Sequence, residues 1–281
     1  MTRKMRHRLI ALFMSGLLAG LLPVHASQPL DLRGELTQGS LLRGKLAPSG
    51  EIRLGAELNS AQIIAVNENG HFAFGFGRDA ALEHKLWWRE SKQSEWQSRL
   101  LRLSKRAYKT DNIEGVAQKY VAPPKEVSAR IRSDNRLVAN ARAVTSEFDF
   151  FTQAFIRPAQ GRISGVYGSQ RIFNGVPKRP HYGLDIAAPI GTSVIAPAAG
   201  VVSLVHADMY YSGGTLIIDH GMGVSSTFIH LDSILVQEGQ TVEQGEPIAT
   251  IGATGRVTGA HLDWRVNWFK TRLDPALLLT D

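Results

Sequence analysis

From Leu30 to about Lys109, apolar and polar positions alternate in short runs such as LLRGKLAPSGEIRLGAEL and QIIAVNENGHFAFGF. A period of two puts successive side chains on opposite faces and marks strands with one buried side. The runs break at Pro48-Ser49-Gly50 and Asn67-Glu68-Asn69-Gly70, tight connections in which Gly supplies positive φ and Asn tolerates it. This predicts a small antiparallel β-sandwich over residues 27–110. Pro123-Pro124 then stops any preceding element, and Val127, Ile131, Leu137, Val138, Ala141 and Val144 recur at near-helical spacing. They predict a helix through about Val144 inside a connector, residues 111–154, with an Arg-rich face toward solvent. From Phe155 onward the β pattern returns with many glycines: VYGSQR, IAAPIGTSVIAPAAGVVSLV, GGTLIIDHG, SSTFIHL, GEPIATIGATG, HLDWRV. Short strands between Gly-rich turns predict a β-barrel or sandwich over residues 155–281. The expected fold class is therefore mainly β: an N-terminal β-sandwich, a helical connector and a C-terminal Gly-rich β domain.

The first residues depart from both patterns. MTRKMRHRLIALFMSGLLAGLLPVHASQ opens with basic residues, continues with an apolar run from Leu9 to Val24 and ends in Val24-His25-Ala26, the small-residue signature of a secretory cleavage site. A signal peptide over residues 1–26 is expected, and with it export to the periplasm or cell envelope. Gly16, Gly20 and Pro23 interrupt a run already shorter than the ~20 residues that span a bilayer, so no stable membrane insertion is expected after cleavage. The chain has no cysteine, which excludes disulfides, thiolate zinc sites, thiol nucleophiles and a lipidated cysteine at that site. Any metal must be held by His and carboxylate. The formal charge is +7, of which Arg3, Lys4, Arg6 and Arg8 in the leader supply four; the remainder is too mild for nucleic-acid binding. The cluster Arg99, Arg102, Lys105, Arg106 and Lys109 is read as a solvated face.

Five of the nine histidines, His181, His206, His220, His230 and His261, fall in the last domain. In GAHLDWRV, His261 and Asp263 share one face of a strand, roughly 7 Å apart at the backbone. In RPHYGLD, Asp185 follows His181 by four residues, and Gly183 and Pro180 argue against a helix. That pair alone is a weak signal. Together with His230 in FIHL, three separated strands each bring polar groups between apolar neighbours, the convergence a chelating pocket needs. Imidazole favours zinc, oxygen donors can complete a tetrahedral set, and a catalytic zinc keeps one position for water. His206 and His220 are read as structural.

The segments HYGLDIAAPIGTSVIAPAAGVV, GGTLIIDHGMGVSSTFIHL and GATGRVTGAHLDWRV resemble, in this order, the lysostaphin/LytM-type zinc metallopeptidases, which cut peptidoglycan cross-links and stem peptides. The resemblance covers about residues 155–275. It implies one zinc ion per chain, His181 and Asp185 as its first two ligands, and His230 and His261 as catalytic histidines that share proton transfer and oxyanion stabilisation during metal-assisted amide hydrolysis. Asp263 falls where the family usually has its third ligand, a His. An Asp Oδ lies as many bonds beyond Cβ as an imidazole Nδ1, so reach is preserved. One neutral His and two carboxylates cancel the Zn²⁺ charge, where the usual set leaves +1; a less acidified water and a higher pH optimum are expected. Arg171 and Asn174 resemble positions bordering the family's cleft, where an Arg can pair with a substrate carboxylate, and Tyr211 with Tyr210 can line a substrate groove. Asp232, in a second His-Leu-Asp, lies outside the motif position. Two alternatives stand beside the exported endopeptidase acting on peptidoglycan. One is a non-catalytic relative that binds the wall and regulates another hydrolase. The other is a biotinyl- or lipoyl-type carrier hairpin in GQTVEQGEPIATIG, which lacks a Lys at its turn. The N-terminal sandwich can position the wall, shield the groove or bind a regulatory protein partner.

Overall fold

A computed structural model describes residues 30–113, 125–173 and 175–279. The expected leader and Asn174 lie outside the described residues. Alternation between Leu30 and Lys109 produces two antiparallel sheets. One joins Leu32–Arg33, Leu41–Lys45 and His71–Gly75; the other runs Gln62–Ile64, Glu51–Leu54, Glu83–Arg89, Gln97–Arg102. Their inward residues Leu42, Ile52, Phe72, Phe74, Leu86 and Leu101 are almost fully excluded from solvent. Burying side chains of this size contributes about 1.5–3 kcal/mol each.

The C-terminal strands form one open antiparallel sheet. Its path is Thr241–Val242, Gly200–Met209, Gly213–Gly221, Val224–Ile234, His261–Trp268, Leu184–Ala187 and Arg162–Gly165, with Ser193–Ile195, Pro247–Ile251 and Thr271–Leu273 joined off this line. Of the two expected forms, closure into a barrel is not what the strands adopt. The predicted helix forms at Ser128–Ala141, three residues short of Val144, and rests Val138 and Ala141 against Leu204, Met209 and Ile217.

The two halves share one continuous apolar core. Gly75 packs directly on Leu273, Arg43 donates to the carbonyls of Phe151 and Gln153 at 3.0 and 2.7 Å, and Tyr167 Oη donates to the Arg272 carbonyl at 2.8 Å. Arg106, expected on a solvated face, instead meets the buried Asp274 carboxylate at 2.7 Å. A long-range pairing adds to this: Thr110–Ile113 runs parallel to Gln170–Phe173, the strand that carries Arg171. Among the described residues no helix is long and apolar enough to cross a membrane.

Candidate metal centre

Two neighbouring strands and the loop before them build the site. Leu184–Ala187 pairs with His261–Trp268 so that Asp185 stands directly opposite Asp263, and His181 enters from the preceding loop, where its N–H donates to the Ser169 carbonyl at 2.8 Å. One donor atom from each of His181, Asp185 and Asp263 lies within 4.8 Å of the others. Two carboxylates placed opposite one another on one face repel, so the pairing requires cations. Gly183 and Gly165 make the space: a Cβ at Gly183 would lie 2.0 Å from Asp263 Oδ1, and one at Gly165 would lie 2.2 Å from Asp185 Oδ2. His181 Nε2 and Asp185 Oδ1 face each other at 3.2 Å, and neither buried atom has any further hydrogen-bond partner. Burial pulls the His181 pKa down, but its contact with Asp185 and the negative charges of Asp263 and Asp185 hold it above the ordinary histidine value. Unmet donor atoms, clustered carboxylates and a backbone cleared around them fit a divalent zinc ion.

Arg265 is the residue that the motif does not disclose. It lies two positions beyond Asp263 on the same face and grips that carboxylate through Nε at 3.0 and 3.1 Å and Nη2 at 2.5 Å. Burial pushes the Asp263 pKa up; the Arg265 charge and hydrogen bonds outweigh it and bring it down to about 2. Asp263 Oδ1 accepts from Nε alone among the described residues, which leaves it lone-pair capacity for a metal. With the guanidinium counted, one neutral imidazole, two carboxylates, one cation and Zn²⁺ sum to +1. The expected full cancellation of charge is therefore corrected: Arg265 returns the value that a two-histidine, one-carboxylate set would have.

The two remaining motif histidines sit together, ring centroids 4.9 Å apart and planes tilted by 48°. Each is fixed as a tautomer. His230 Nδ1–H donates to the Thr254 carbonyl and His261 Nδ1–H to the Gly259 carbonyl, both at 2.9 Å, so in the neutral ring each Nε2 carries the lone pair. His230 occupies a left-handed conformation, φ 66°, where the register of Gly213–Gly221 against Val224–Ile234 shifts between the Gly214 and Thr215 pairs. Such a conformation costs on the order of 1–3 kcal/mol in a residue with a side chain and clusters at functional positions. Burial holds its pKa below the ordinary value, so the ring is neutral at pH 7.

A cavity of about 160 Å³ adjoins this pair, lined by Tyr211, Ser212, Ile229, His230, Arg256 and Arg265. Tyr211, expected to line a substrate groove, is one of these lining residues. The connector helix braces its wall: Asp134 accepts from the Tyr210 N–H at 2.8 Å, and Arg130 Nη2 bonds Asp208 Oδ2 at 2.8 Å. Arg142, just past the helix and expected among solvent-facing arginines, is buried and donates to Thr227 Oγ1 at 2.7 Å. Thr227 is directly opposite Arg265, so the connector lies over the sheet face that continues from the metal cluster. Asp232 is exposed and outside that cluster. His220 is fully buried in a closed network, and His206 accepts from the Asp208 N–H.

Residues 179–275 match the family model of Peptidase family M23. Peptidoglycan DD-endopeptidase ShyA of Vibrio cholerae is 35% identical over 160 residues, which is 56% of this chain and 36% of that protein. Peptidoglycan DD-endopeptidase ShyB of the same organism is 35% identical over 161 residues, 57% of this chain and 37% of that protein. The chain matches little more than a third of the length of these curated relatives. A Pseudomonas aeruginosa crystal structure assigned to peptidase M23 superposes with a TM-score of 0.63 at 26% identity, over 87% of this chain and 95% of that one.

Proposed function

Given that residues 179–275 form a domain of peptidase family M23, we propose that the chain is an exported, zinc-dependent endopeptidase that hydrolyses amide bonds in the peptides of peptidoglycan. The observation that carries this reading is the convergence of His181, Asp185 and Asp263 donor atoms within 4.8 Å, two of them unpartnered, beside two histidines with fixed tautomers.

His181, Asp185 and Asp263 would hold the ion. Zinc, when bound, supplies Lewis acidity toward the scissile carbonyl and lowers the pKa of the attacking water. The chain's own residues do the rest. Neutral His230, its Nδ1–H held by the Thr254 carbonyl, presents a bare Nε2 that takes the proton from the water. His261, 4.9 Å away by ring centroid, stands on the strand next to that of His230; with Nδ1–H held by the Gly259 carbonyl, it donates to the oxyanion or the leaving amine from Nε2 in its imidazolium form. Arg265 holds Asp263 in one rotamer, so the donor set is organised before the ion arrives.

Elemental analysis of the purified chain and digestion of cell-wall sacculi, with and without chelator, test this reading. One zinc per chain and chelator-sensitive release of peptide fragments are expected. A second reading, a wall-binding regulator without catalysis, has one observation in its favour: Arg265 already neutralises Asp263 without a metal. A zinc-free chain after supplementation, with sacculi bound but uncut, would establish that reading instead.

A further inference from the structure

We propose that Arg256 anchors a carboxylate-binding subsite beside the metal cluster, so that the peptide held in the groove presents a free carboxylate to it; this rests on the peptidase reading above. Arg256 and Arg265 both line the cavity of about 160 Å³ that His230 also lines. They differ in what answers their charge. Arg265 is spent on Asp263, through three contacts of 2.5 to 3.1 Å. Arg256 has no such partner: among the described residues its side chain enters no hydrogen bond or ion pair, and its guanidinium lies 4.4 Å from the centroid of the Tyr211 ring. Its backbone N–H donates to the Tyr211 carbonyl at 2.9 Å, which ties the two residues together at both ends.

A guanidinium seated over an aromatic ring is held by that ring, and its N–H donors, which meet no acceptor among the described residues, are left for a ligand. That fork matches the two oxygens of a carboxylate. Stacking also limits the rotamer freedom the side chain would otherwise lose on binding. Because His230 shares the lining, the carboxylate belongs to the residue bearing the scissile bond or to its neighbour, one residue being at most about 3.6 Å of chain. Tyr211 then acts as the brace of the anionic subsite.

The test is an NMR titration of the full chain, with chelator present so that no metal attracts the anion. Three probes are compared: N-acetyl-Ala-Ala with a free C-terminal carboxylate, its C-terminal amide, and N-acetyl-Glu-Ala amide, which carries only a side-chain carboxylate. At least one carboxylate probe is expected to bind about five- to tenfold more tightly than the neutral amide, and whichever does so names the source of the group. Arg256→Gln should erase that preference, and Arg256→Lys should keep part of it as a point charge without the fork. Equal binding of all three probes by the unmodified chain, absence of binding included, overturns the subsite; so does a preference that survives in Arg256→Gln. Sacculus digestion run in parallel keeps the two readings apart. An inactive chain that still prefers carboxylate sinks the peptidase reading alone, and an active chain without preference sinks the subsite alone.

Discussion

The same antiparallel sheet holds two buried polar clusters, built on opposite principles. Around His220, every polar atom is answered: Nδ1–H donates to the Ala199 carbonyl at 2.7 Å, Nε2 accepts from Ser226 Oγ at 2.8 Å, and Trp264 Nε1 donates to that hydroxyl at 3.2 Å. Around His181, donor atoms converge and are left over, and two carboxylates stand opposite each other. A satisfied network needs nothing further and serves the core. Other buried side-chain atoms, Trp88 Nε1 and Ser225 Oγ among them, also lack a partner, but here the unmet atoms coincide with two opposed carboxylates and an imidazole, and such a cluster is prepared for something that arrives later.

Substitutions in each cluster should separate these roles. The largest effect is expected for Asp185→Asn, which removes a metal donor and one of the two opposed charges. Sacculus hydrolysis should fall by at least about a thousandfold and zinc content with it, while the Tm of the metal-free chain does not drop. A falling Tm would place Asp185 in the structural class beside His220.

Next comes the pH response of the satisfied cluster. Burial pushes the His220 pKa down to about 4, below the ordinary value of about 6.5, so the unfolded chain takes up this proton first. Stability from this group is intact above about pH 6.5 and drains away as pH falls toward 4, by on the order of 3 kcal/mol. Urea unfolding at pH 7 and pH 4.5 measures it, and His220→Gln should show a shallower slope than the parent chain.

Arg265→Gln acts on the seam between the classes. It strands the buried Asp263 carboxylate, so the metal-free chain should lose about 2 kcal/mol, zinc should recover part of it, and zinc affinity should weaken by about ten- to a hundredfold. Competition against a chelator reads the affinity. The charge count makes a companion prediction: Asp263→His with Arg265 retained raises the site to +2 and shifts the pH–rate profile to the acid side, and adding Arg265→Gln returns it.

The smallest effect is expected for Arg142→Met. Burial, then the fields of Arg272 and Arg265, hold the Arg142 pKa well below its ordinary value, and a hydroxyl is its hydrogen-bond acceptor. An apolar side chain of similar length should be neutral or stabilising by about 1 kcal/mol in thermal unfolding.

Much of this is legible in the sequence. Asp185, His230, His261 and Asp263 each sit in a short apolar strand, with His181 in the loop just before the first of them, and their order along the chain carries the resemblance. Arg265 was within reach of the same period-two argument that joined His261 to Asp263, since HLDWRV puts all three on one face. The need for a counter-ion there follows only from the pairing that sets Asp185 opposite Asp263, which no local pattern encodes. Arg256 had no such signal, because its stacking on Tyr211 joins residues 45 positions apart in a turn geometry that no local pattern encodes. The parallel pairing of Thr110–Ile113 with Gln170–Phe173 and the seating of Arg142 on Thr227 are hidden for the same reason: both are contacts across long sequence separation, and helical periodicity cannot tell an arginine beyond a helix end that turns inward from one that turns outward. The left-handed backbone of His230 is uncommon for any residue with a side chain and emerges only from the register shift around it.

The junction between the sandwich and the last strands bears on any attempt to transplant the chemistry. Leu273 lies under Gly75, and Asp274 is sealed by Arg106 only a few residues after the strand that carries Asp263. A fusion that grafts residues 155–281 onto a foreign wall-targeting module would uncover a greasy patch and orphan an acid at that edge. Such a chimera needs a replacement lid, or the native one carried along, before its turnover says anything about targeting.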